Sequence, residues 1–424
     1  MNKVLIITYY WPPGSGAGVQ RWLKFSKYLP QYGWEPLILT VDTAFAYYPA
    51  TDITLDKDLP ESVKVFKTPA TDYFGIFFSD KKRVPSSGFA TGKDDSLKGK
   101  IARFIRGNFF IPDPRRGWNR FAFRKACEII ENEMVFNVIT TSPPHSTQLT
   151  GLKLRKKYHH LKWIADLRDP WTDIYYYKLF FPTFISKIID HGYEKSVLKK
   201  ADKIITVSCS LKDLLSSKAE RIKDKTEVIT NGFDFSDFED TTDKKPGKLT
   251  ITYVGTLSEK YPVDGLIRAL KKIKQEGIDF VIRFTGSVQE NVMNDILSNI
   301  PSASVEFISY VVHHEAIDYM KNTSLLLLII PEHKHNKGIV TGKIFEYLAS
   351  GNPILCLGPV DGDAAQIIKR CKAGMTIDYH NSDAITEFLR NIPLYASLID
   401  KSVIQEFSRS NLTGKLVSVL NSRS

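Results

Sequence analysis

Short apolar runs rich in Val, Ile and Leu alternate with longer segments of helical periodicity along almost the whole chain. Consecutive apolar residues are typical of strands buried on both faces, as in parallel sheets whose crossover connections are helices. The sequence therefore predicts an α/β protein with doubly wound parallel sheets. The predicted strands are residues 4–8, 34–40, 135–140, 162–165, 203–207, 227–230, 250–254, 280–285, 305–308, 325–330, 353–357 and 374–377.

The length of the chain and one polar interruption predict two domains. A chain of 424 residues with 43% hydrophobic residues can bury two cores of ordinary size. The α/β pattern is broken at 234–249, where acidic residues are followed by basic ones, and the boundary is placed there. The expected domains are 1–235 and 249–405, with a C-terminal helix within 406–424 that packs back on the first domain. Residues 72–118 are less regular and are predicted to be an insertion in the first domain.

The segment 337–355, KGIVTGKIFEYLASGNPIL, is typical of a loop, a helix and a buried strand that together bind a phosphate group. The predicted helix, Lys343–Ser350, follows Gly342 directly, so its free N–H groups and its positive dipole end suit an anion. Glu346 lies one turn further, where its carboxylate can accept two hydrogen bonds from a ribose. An ordinary αβ unit with Gly351 as the helix C-cap explains the same pattern.

The N-terminal strand is followed by a glycine-rich loop and by a helix with apolar residues at helical spacing. Gly14, Gly16 and Gly18 have GxGxG spacing, which differs from the GxGxxG fingerprint of dinucleotide-binding proteins. A flavin or nicotinamide cofactor is therefore not expected. Because Gly18 has no Cβ, a phosphate or sugar can come close to the backbone at the start of the helix.

Neither the cysteines nor the histidines predict a metal site. The cysteines contain no CxxC pair, which indicates reduced thiols in the cytosol and no zinc site. The paired histidines have no carboxylates or cysteines at ligand spacing. Asp361 and Asp363 have the DxD spacing of some metal sites, but helix capping by Asp363 is the stronger explanation. The residues considered are Cys127, Cys209, Cys356, Cys371, His313, His314, His333 and His335.

The net charge and the lengths of the apolar runs limit the partners. A formal net charge of +11 indicates anionic partners such as sugar nucleotides, phospholipid headgroups or nucleic acid. The N-terminal apolar run, 4–7, is too short for a signal peptide, and the longest later run, 325–330, is too short to span a membrane. We therefore expect a cytoplasmic protein.

The insertion at 72–118 interleaves basic and aromatic residues. Its segment 101–110, IARFIRGNFF, predicts a short amphipathic helix at the inner face of the cytoplasmic membrane, with phenylalanines at the acyl boundary and arginines on lipid phosphates. A solvated loop with a few packed aromatic residues is the alternative. Nucleic-acid binding is disfavoured because no recognition motif or repeat accompanies the charge. The basic residues are Lys81, Lys82, Arg83, Lys93, Lys98, Lys100, Arg103, Arg106, Arg115 and Arg116.

Several motifs occur along the chain in a specific order. The first half contains GVQRWLKFSKYL at 18–29, SPPHS at 142–146, IADLRDPW at 164–171, ADKIITVS at 201–208 and VITNGFD at 228–234. The second half contains ITYVGTLSEK at 251–260, KIFEYLASGNPIL at 343–355 and FSRSNLTGKLVSVL at 407–420. In this order and spacing, nearly the whole chain resembles the retaining, family 4-like GT-B glycosyltransferases of the bacterial family called glycosyl transferases group 1.

The resemblance implies a GT-B fold, two Rossmann-like domains facing each other across a cleft, with a nucleotide sugar as donor and no metal ion or other cofactor. Breaking the anomeric bond requires positive charge at the leaving diphosphate, for which Lys260 and Lys343 are the candidate catalytic cations. Two positions differ from the family pattern, since Gly338 replaces its first carboxylate and Thr256 replaces an arginine that often follows the glycine. The implied donor-binding residues are Gly18, Gly255, Thr256, Gly338, Thr341, Gly342 and Glu346.

The candidate acceptor residues follow two strands of the first domain. His145 lies in the SPPHS turn, and Asp166, Arg168 and Asp169 follow the next strand. Strand ends in this domain suit an acceptor or the transferred sugar, and His145 is the candidate catalytic base. The alternatives are a structural ion pair between Asp166 and Arg168 and an N-cap at Asp169. The resemblance implies that no strong enzyme nucleophile is needed, because the leaving phosphate assists on the same face.

The sequence thus predicts a retaining, metal-independent hexosyltransferase. It would move a sugar from a nucleotide-diphosphate sugar to a saccharide acceptor, taken to be lipid-linked, in cell-surface polysaccharide or lipopolysaccharide biosynthesis. One alternative is a sugar-nucleotide epimerase of similar fold, which would act without an acceptor. The other is a basic membrane-binding or nucleic-acid-binding protein without catalysis, which would have no need for the combination of Gly18, Lys343 and Glu346.

Overall fold

The computed structural model describes residues 1–48, 51–73, 96–239 and 247–422. The chain divides into two compact units, each built on its own parallel sheet. Unit 1 contains Met1–Thr230 and Leu412–Ser424, and unit 2 contains Asn231–Asn411. No helix within the described ranges is long and apolar enough to cross a membrane.

The described part of unit 1 forms seven parallel strands. They are β1 (Asn2–Ile7), β2 (Trp34–Val41), β3 (Lys64–Thr68), β4 (Asn137–Ser142), β5 (Lys162–Leu167), β6 (Lys203–Thr206) and β7 (Thr226–Val228). Their order in the sheet is β3-β2-β1-β4-β5-β6-β7. Alternate residues of β1 pack on opposite faces, with Val4 and Ile6 in one apolar cluster and Leu5 and Ile7 in another. Burial on both faces explains why this strand is a continuous apolar run.

Most helices of unit 1 cover these two faces. The helices are α1 (Ala17–Tyr28), α2 (Leu97–Phe109), α3 (Asn119–Glu133), α4 (Ser146–Lys157), α5 (Phe184–Lys200) and α6 (Cys209–Ser216). Helix α2 has no buried residue and packs on α5 and on the turn before it. On one face, α1 packs Val19 and Trp22 in the cluster that contains Val4. On the other face, α3 packs Ala122 and Ile130 in the cluster that contains Leu5. Single 3-10 turns form at Leu29–Tyr32, Ile53–Asp58, Pro114–Trp118, Tyr177–Phe180 and Lys223–Lys225.

Unit 2 repeats this architecture. Its strands are β8 (Leu249–Val254), β9 (Phe280–Thr285), β10 (Val305–Ile308), β11 (Leu325–Ile329), β12 (Ile354–Leu357) and β13 (Gly374–Ile377), all parallel in the order β10-β9-β8-β11-β12-β13. Leu325 and Leu327 of β11 pack in one apolar cluster, and Leu326 and Leu328 pack in the other. Its helices are α7 (Asp264–Gln275), α8 (Glu290–Asn299), α9 (His313–Lys321), α10 (Lys343–Ser350), α11 (Asp363–Arg370), α12 (Ser382–Arg390), α13 (Ile392–Leu398) and α14 (Lys401–Gln405), with 3-10 turns at Phe235–Phe238 and Ser302–Ser304.

The last helix, α15 (Arg409–Asn421), begins in unit 2 and belongs to unit 1 from Leu412 onward. Leu412 and Leu416 pack in the same apolar cluster of unit 1 as α1. Lys162 Nζ donates hydrogen bonds to the carbonyls of Val419 and Leu420, at 2.7 and 3.0 Å. A lysine at this end satisfies carbonyls that have no partner within the helix and suits the negative end of the helix dipole.

Both sheets confirm the predicted doubly wound parallel architecture. The strand order reverses between β1 and β4 in unit 1, and between β8 and β11 in unit 2. Ligands of such sheets bind beyond the carboxyl ends of the strands at these switch points. Strand β3 was missed because its sequence, KVFKT, is short, partly exposed and without a continuous apolar run. Of the predicted boundary stretch and insertion, residues 240–246 and 74–95 lie outside the described residues.

Candidate functional site

The switch point of unit 2 collects most of the predicted donor residues. Gly255 and Thr256 follow β8, and the loop with Gly338, Thr341 and Gly342 follows β11 and leads into α10. Because β8 and β11 are parallel neighbours in the sheet, their carboxyl ends lie side by side. The fold therefore brings together residues that are more than eighty positions apart in the sequence.

Lys343 is the first residue of α10, and its side chain extends to Gly255. A Cβ at Gly255 would lie 2.5 Å from Lys343 Nζ, and the φ of +126° at this position also favours glycine. Lys343 Nζ is 3.4 Å from the hydroxyl of Tyr253 and 4.5 Å from the centroid of the same ring. Tyr253 is a site residue that the sequence analysis missed, because an aromatic residue in a buried strand indicates only core packing.

The surroundings of Lys343 favour the binding of an anion to its ammonium group. Burial lowers its pKa to about 8, and the opposing effect of Glu346 is smaller. Within the described ranges, no carboxylate lies within ion-pairing distance of its Nζ. A diphosphate bound here would stabilise a charge that the protein itself leaves without a direct counter-ion.

Glu346 lies on the first turn of α10 and is oriented by a histidine. Its Oε1 is 3.0 Å from Nε2 of His313, the first residue of α9. Both side chains remain partly exposed, at 27% for Glu346 and 30% for His313, so the carboxylate is accessible to a ligand. From the sequence, His313 is a candidate only as a metal ligand, because no local pattern connects two side chains 33 residues apart.

The loop before α10 is anchored to residues that follow β11 and β13. Asn336 Nδ2 donates hydrogen bonds to the carbonyl of Pro331 and to the hydroxyl of Tyr379, both at 3.0 Å. Gly342 is the N-cap of α10 and provides no side-chain cap, and the N–H groups of Ile344 and Phe345 donate to the carbonyls of Thr341 and Gly342 at 3.3 and 3.2 Å. Thr341 Oγ1 is buried and has no hydrogen-bond partner among the described residues. Among the described residues, the hydroxyl of Thr341 and the N–H of Lys343 are therefore available as donors for a phosphate at the start of the helix.

Lys260 and Thr256 lie in the loop after β8, on either side of the buried Leu257. The carbonyl of Lys260 accepts a hydrogen bond from the N–H of Glu332 at 2.7 Å, which joins this loop to the loop before α10. Burial lowers the pKa of Lys260, and after burial its charge is the largest influence lowering the pKa of His333. Thr256 is exposed, and its carbonyl accepts a hydrogen bond from the Tyr253 hydroxyl at 2.7 Å.

The DxD spacing has a different structural explanation from the one predicted. Asp361 forms an exposed ion pair with Lys337. The prediction that Asp363 caps a helix is wrong in detail, because Asp363 is the first helical residue of α11 and Gly362 is the N-cap. The N–H of Asp363 donates to the carbonyl of Lys337 at 2.8 Å and so fixes the loop before α10. In the described part of the chain, no group of three His, Cys, Asp or Glu residues could hold a metal ion.

At the switch point of unit 1, Gly18 lies against Arg168. A Cβ at Gly18 would be 3.0 Å from Arg168 Nη2, so the glycine makes room for this guanidinium. Arg168 also donates from Nε to the carbonyl of Ser142 at 3.0 Å, and its Nη2 lies 3.4 Å from the carbonyl of Pro143. The fold thus brings a predicted donor-side glycine into contact with a predicted acceptor-side arginine. The guanidinium of Arg168 occupies the space beside Gly18 in which the sequence predicts a phosphate or a sugar.

Asp166 is completely buried at the end of β5. It accepts hydrogen bonds from Arg21 Nη2 at 3.0 Å, from Trp22 Nε1 at 3.0 Å and from Thr141 Oγ1 at 2.8 Å. Its oxygen is 3.8 Å from Arg168 Nε, so the main partner in the ion pair is Arg21. Asp166 therefore connects α1, β4 and β5, while Arg168 and Asp169, both partly buried, follow at this strand end.

Asp169 lies beside Arg168 in an irregular segment after β5. The alternative that it caps a helix is wrong, because no helix begins at Pro170 or Trp171. Burial raises its pKa, and the charge of Arg168 opposes this effect.

His145 immediately precedes α4, and its ring stacks on Trp171 with centroids 4.9 Å apart and an interplanar angle of 15°. Its Nδ1 is buried and has no partner among the described residues. Burial, followed by the charge of Arg168, lowers the pKa of His145 to about 3. The ring is therefore neutral near pH 7, where it can hydrogen-bond to a hydroxyl but is a weak base.

Comparisons with known proteins agree with this geometry. Residues 234–395 match the model of the family described as glycosyl transferases group 1. A search of curated protein sequences found no match to the chain. The family match contains the complete donor-side constellation of unit 2 and none of the sheet of unit 1.

Several solved structures share the fold along the full chain. Sucrose-phosphate synthase from Thermosynechococcus elongatus is similar with a TM-score of 0.64, 12% identity, and coverage of 99% of this chain and 98% of that chain. The Anabaena protein Alr3699/HepE in complex with UDP has a TM-score of 0.62, 11% identity and coverage of 100% of both chains. The lipopolysaccharide outer core galactosyltransferase WaaB has a TM-score of 0.58, 12% identity and coverage of 99% of both chains.

These similarities, with the two switch-point sheets, define a protein of the GT-B class with two Rossmann-like domains. The match to the family model lies entirely within unit 2. The resemblance drawn from the motifs is thereby confirmed for the fold class, and for the family within residues 234–395.

Proposed function

We propose that the protein is a retaining, metal-independent glycosyltransferase that moves a hexose from a nucleotide-diphosphate sugar to a saccharide acceptor. The observation that supports this most is the placement of Lys343 and Glu346 on the first turn of α10, at the switch point of unit 2 and inside the matched family domain. A cation and a carboxylate at a helix N-terminus suit a diphosphate and the ribose attached to it.

In this proposal the donor diphosphate lies against Gly255 and the start of α10. The half-buried ammonium group of Lys343 pairs with the phosphates, and the N–H of Lys343, at the start of α10, donates to them. Glu346, oriented by His313, accepts hydrogen bonds from the ribose hydroxyls. The UDP complex of the HepE protein, which shares this fold, supports a nucleoside diphosphate as the ligand.

The proposed mechanism depends on stabilising the negative charge that develops on the leaving group. As the anomeric C–O bond breaks, negative charge develops on the leaving phosphate, and Lys343, together with Lys260, is placed to stabilise it. The leaving phosphate takes the proton of the acceptor hydroxyl on the same face, which gives retention without an enzyme nucleophile. Unit 1 supplies the acceptor side through Arg168, Asp169 and His145. The low pKa of His145 fits a hydrogen-bonding role better than that of a strong base.

We further propose that the acceptor is lipid-linked and that an apolar face of α2 and α5 contacts the inner face of the cytoplasmic membrane. Asn108 of α2 holds the two helices together, since its Oδ1 accepts hydrogen bonds from Thr183 N at 2.7 Å and Ser186 Oγ at 2.8 Å. The exposed apolar side chains of this face are Leu97, Ile101, Phe104, Phe181, Phe184, Ile185, Ile188 and Ile189, and the exposed basic ones are Lys98, Lys100 and Lys187. The similarity to WaaB supports a role in lipopolysaccharide assembly.

This proposed face differs from the membrane surface predicted from the sequence. Arg106 lies 3.5 Å from the centroid of the Phe180 ring, and Arg103 lies 6.0 Å from that of Phe181. These two guanidinium groups therefore lie against aromatic rings of the same unit, and neither residue belongs to the exposed basic set of this face. Helix α5, which the sequence analysis did not consider, contributes half of the exposed apolar residues of the face. The predicted contributors Lys81, Lys82, Arg83 and Lys93 lie outside the described residues.

The proposed activity is tested by incubating the protein with UDP-, GDP- and ADP-sugars, with and without lipid-linked saccharides from bacterial membranes. We expect one donor to release nucleoside diphosphate, with transfer to the acceptor and an unchanged anomeric configuration. Conversion of the donor sugar in the absence of any acceptor would identify an epimerase. Failure of every nucleotide sugar to bind would favour the non-catalytic basic protein.

A further inference from the structure

Unit 1 contains a partly open cavity of about 60 Å³ between α2, the Tyr177–Phe180 turn and the residues before α4. Its walls include Tyr10, Arg106, Arg115, His145 and Tyr176, and we call it the arginine cavity. Its volume exceeds the room needed for a single water molecule and suits a group of the size of a phosphate.

Two guanidinium groups line this cavity against aromatic rings. Arg115 is buried, and its guanidinium carbon lies 5.3 Å from the centroid of the Tyr10 ring. Arg106 lies over Phe180, and burial lowers its pKa to about 10. Tyr176 and Asp113 oppose this lowering of the pKa, and the charge of Arg115 adds to it. Because burial and a like charge both disfavour the charged form of Arg106, an anion placed between the two arginines would stabilise them both.

The cavity also contains two carboxylates, but their oxygens are used in holding its walls. Asp113 accepts hydrogen bonds from the N–H of Arg115 at 3.0 Å and from the N–H and hydroxyl of Ser146, both at 2.8 Å. Asp190 accepts from Trp171 Nε1 at 2.7 Å and from the hydroxyl of Tyr177 at 3.0 Å. Among the described residues, neither carboxylate is within ion-pairing distance of Arg106.

The arginine cavity adjoins the apolar face of α2 and α5. Arg106 and Gly107 of α2 line the cavity, as do Phe180 and Pro182 just before α5. A Cβ at Gly107 would lie 2.3 Å from the carbonyl oxygen of Phe180, so glycine allows α2 to pack directly on this turn. A molecule with an anionic end in the cavity could therefore place an alkyl chain along the exposed apolar side chains of these same elements.

We propose that the arginine cavity binds the phosphate group of an alkyl phosphate, as the anionic end of a lipid-linked acceptor. Guanidinium groups recognise phosphate oxygens through paired hydrogen bonds, and the hydroxyls of Tyr10 and Tyr176 are further donors in the same walls. The cavity also contains His145, so a phosphate held there would place the attached group beside a predicted acceptor-side residue. The assignment of this ligand to an acceptor rests on the proposed glycosyltransferase function, but its binding does not.

The test is calorimetric titration of the full-length protein with octyl phosphate, inorganic phosphate and octyl glucoside, each below its micelle concentration. We expect octyl phosphate to bind more tightly than either of the other probes, because only it offers both the charge and the alkyl chain. Arg106→Met keeps the length of the side chain and should weaken octyl phosphate about tenfold, whereas Arg106→Lys should recover part of this loss. Tyr10→Phe should cause a smaller loss, since it removes a single neutral donor.

Lys125→Met, which removes one exposed charge from α3, is the matched control and should bind octyl phosphate like the wild type. Unchanged octyl phosphate affinity in Arg106→Met, together with an unchanged melting temperature, would overturn the site. Equal affinity for octyl phosphate and octyl glucoside would overturn the role of the charge. Equal affinity for inorganic phosphate would overturn the assignment to an alkyl phosphate. No nucleotide sugar is present in these titrations, so their failure is distinct from failure of the proposed activity.

Discussion

At the residue scale, the carboxylate of Glu346 is expected to hold the donor ribose. Glu346→Gln keeps the size of the side chain and removes its charge, so binding of the nucleoside diphosphate should weaken by about 1.5–3 kcal/mol, the range for hydrogen bonds to charged groups. Calorimetry with UDP, GDP and ADP measures this change. His313→Gln should weaken binding less, because His313 acts by orienting Glu346.

Glu315→Gln is the control for this prediction. Glu315 lies on the same helix as His313 and is exposed, so its replacement changes the net charge equally without touching the predicted ribose site. Equal affinities in wild type and Glu346→Gln would remove Glu346 from donor binding.

A second prediction at this scale concerns the charge of Lys343. Lys343→Met should lower kcat more than it raises the KM for the acceptor, because the charge that the lysine stabilises grows in the transition state. Since burial lowers the pKa of Lys343 to about 8, the cation is lost as the pH rises through this value. Wild-type kcat/KM for the donor should therefore fall above about pH 8, and this fall should be absent in Lys343→Met. Lys369→Met, on the exposed side of α11, should keep the wild-type profile.

The lowered pKa of Lys343 also makes the stability of the protein depend on pH. Stability should change in the direction opposite to activity as the pH rises. The pKa of Lys343 is lower in the folded protein than its ordinary value of 10.5, so between about pH 8 and 10.5 the unfolded chain binds more protons at this residue. The charged lysine therefore costs stability below about pH 8, and this cost is relieved as the pH rises towards 10.5. Retention of a buried cation at a cost in stability is typical of a ligand-binding residue.

At the scale of secondary structure elements, the approach of α10 to the end of β8 depends on Gly255. Gly255→Ala would place a methyl group 2.5 Å from Lys343 Nζ and should displace the ammonium group, so turnover should fall. The φ of +126° should also cost stability on the order of 1–3 kcal/mol. Gly277→Ala separates the two effects, since Gly277 has a φ of +82° and open space around it. Denaturant unfolding should register a loss in both variants, but steady-state kinetics only in Gly255→Ala.

Two helices together are expected to form the membrane-binding face. Replacing Phe104, Phe184 and Ile188 by serine should abolish sedimentation with anionic vesicles, because each large apolar side chain contributes about 1.5–3 kcal/mol when buried in the acyl region. Binding of the wild type should weaken with salt, since Lys98, Lys100 and Lys187 contribute up to about 1 kcal/mol each at an anionic surface.

The control for this face replaces Leu297, Tyr310 and Leu394, which are exposed apolar residues of unit 2, by serine. These changes should leave vesicle binding unchanged. Absence of binding by the wild-type protein at low salt would contradict the membrane proposal and would make a water-soluble acceptor the better hypothesis.

At the scale of the whole molecule, the proposed chemistry draws its positive charge from protein groups in separate parts of unit 2. Lys260 follows β8, Lys343 begins α10, and the N–H of Lys343 completes the set. EDTA should therefore leave the rate of nucleoside diphosphate release unchanged, as measured with the donor identified in the transfer assay. A strict requirement for added Mn²⁺ would show that this set is insufficient and would return Asp361 and Asp363 to consideration.

Local sequence patterns determined the elements of this protein. The alternation of apolar runs and helical segments predicted the two parallel sheets, and Gly342 and Gly351 marked the ends of Lys343–Ser350 as the structure has them. Such features are readable because strand burial, helix periodicity and capping depend on residues that are neighbours in the chain. Glu346 and Lys343 could be selected as candidates for the same reason, since both belong to one short helix.

Only the tertiary structure decided which side chains meet. The pair of Glu346 with His313, the contact of Lys343 with Gly255 and the burial of Asp166 on Arg21 join residues 33, 88 and 145 positions apart. The arginine cavity likewise combines Tyr10, Arg106, Arg115 and His145 from four separate segments. No sequence period relates such residues, because their distances are set by strand order and by how helices pack on the two faces of each sheet. The sequence thus determined the architecture and part of the proposed donor site, and the packing of the sheets decided the contacts of Lys343 and Glu346 in it.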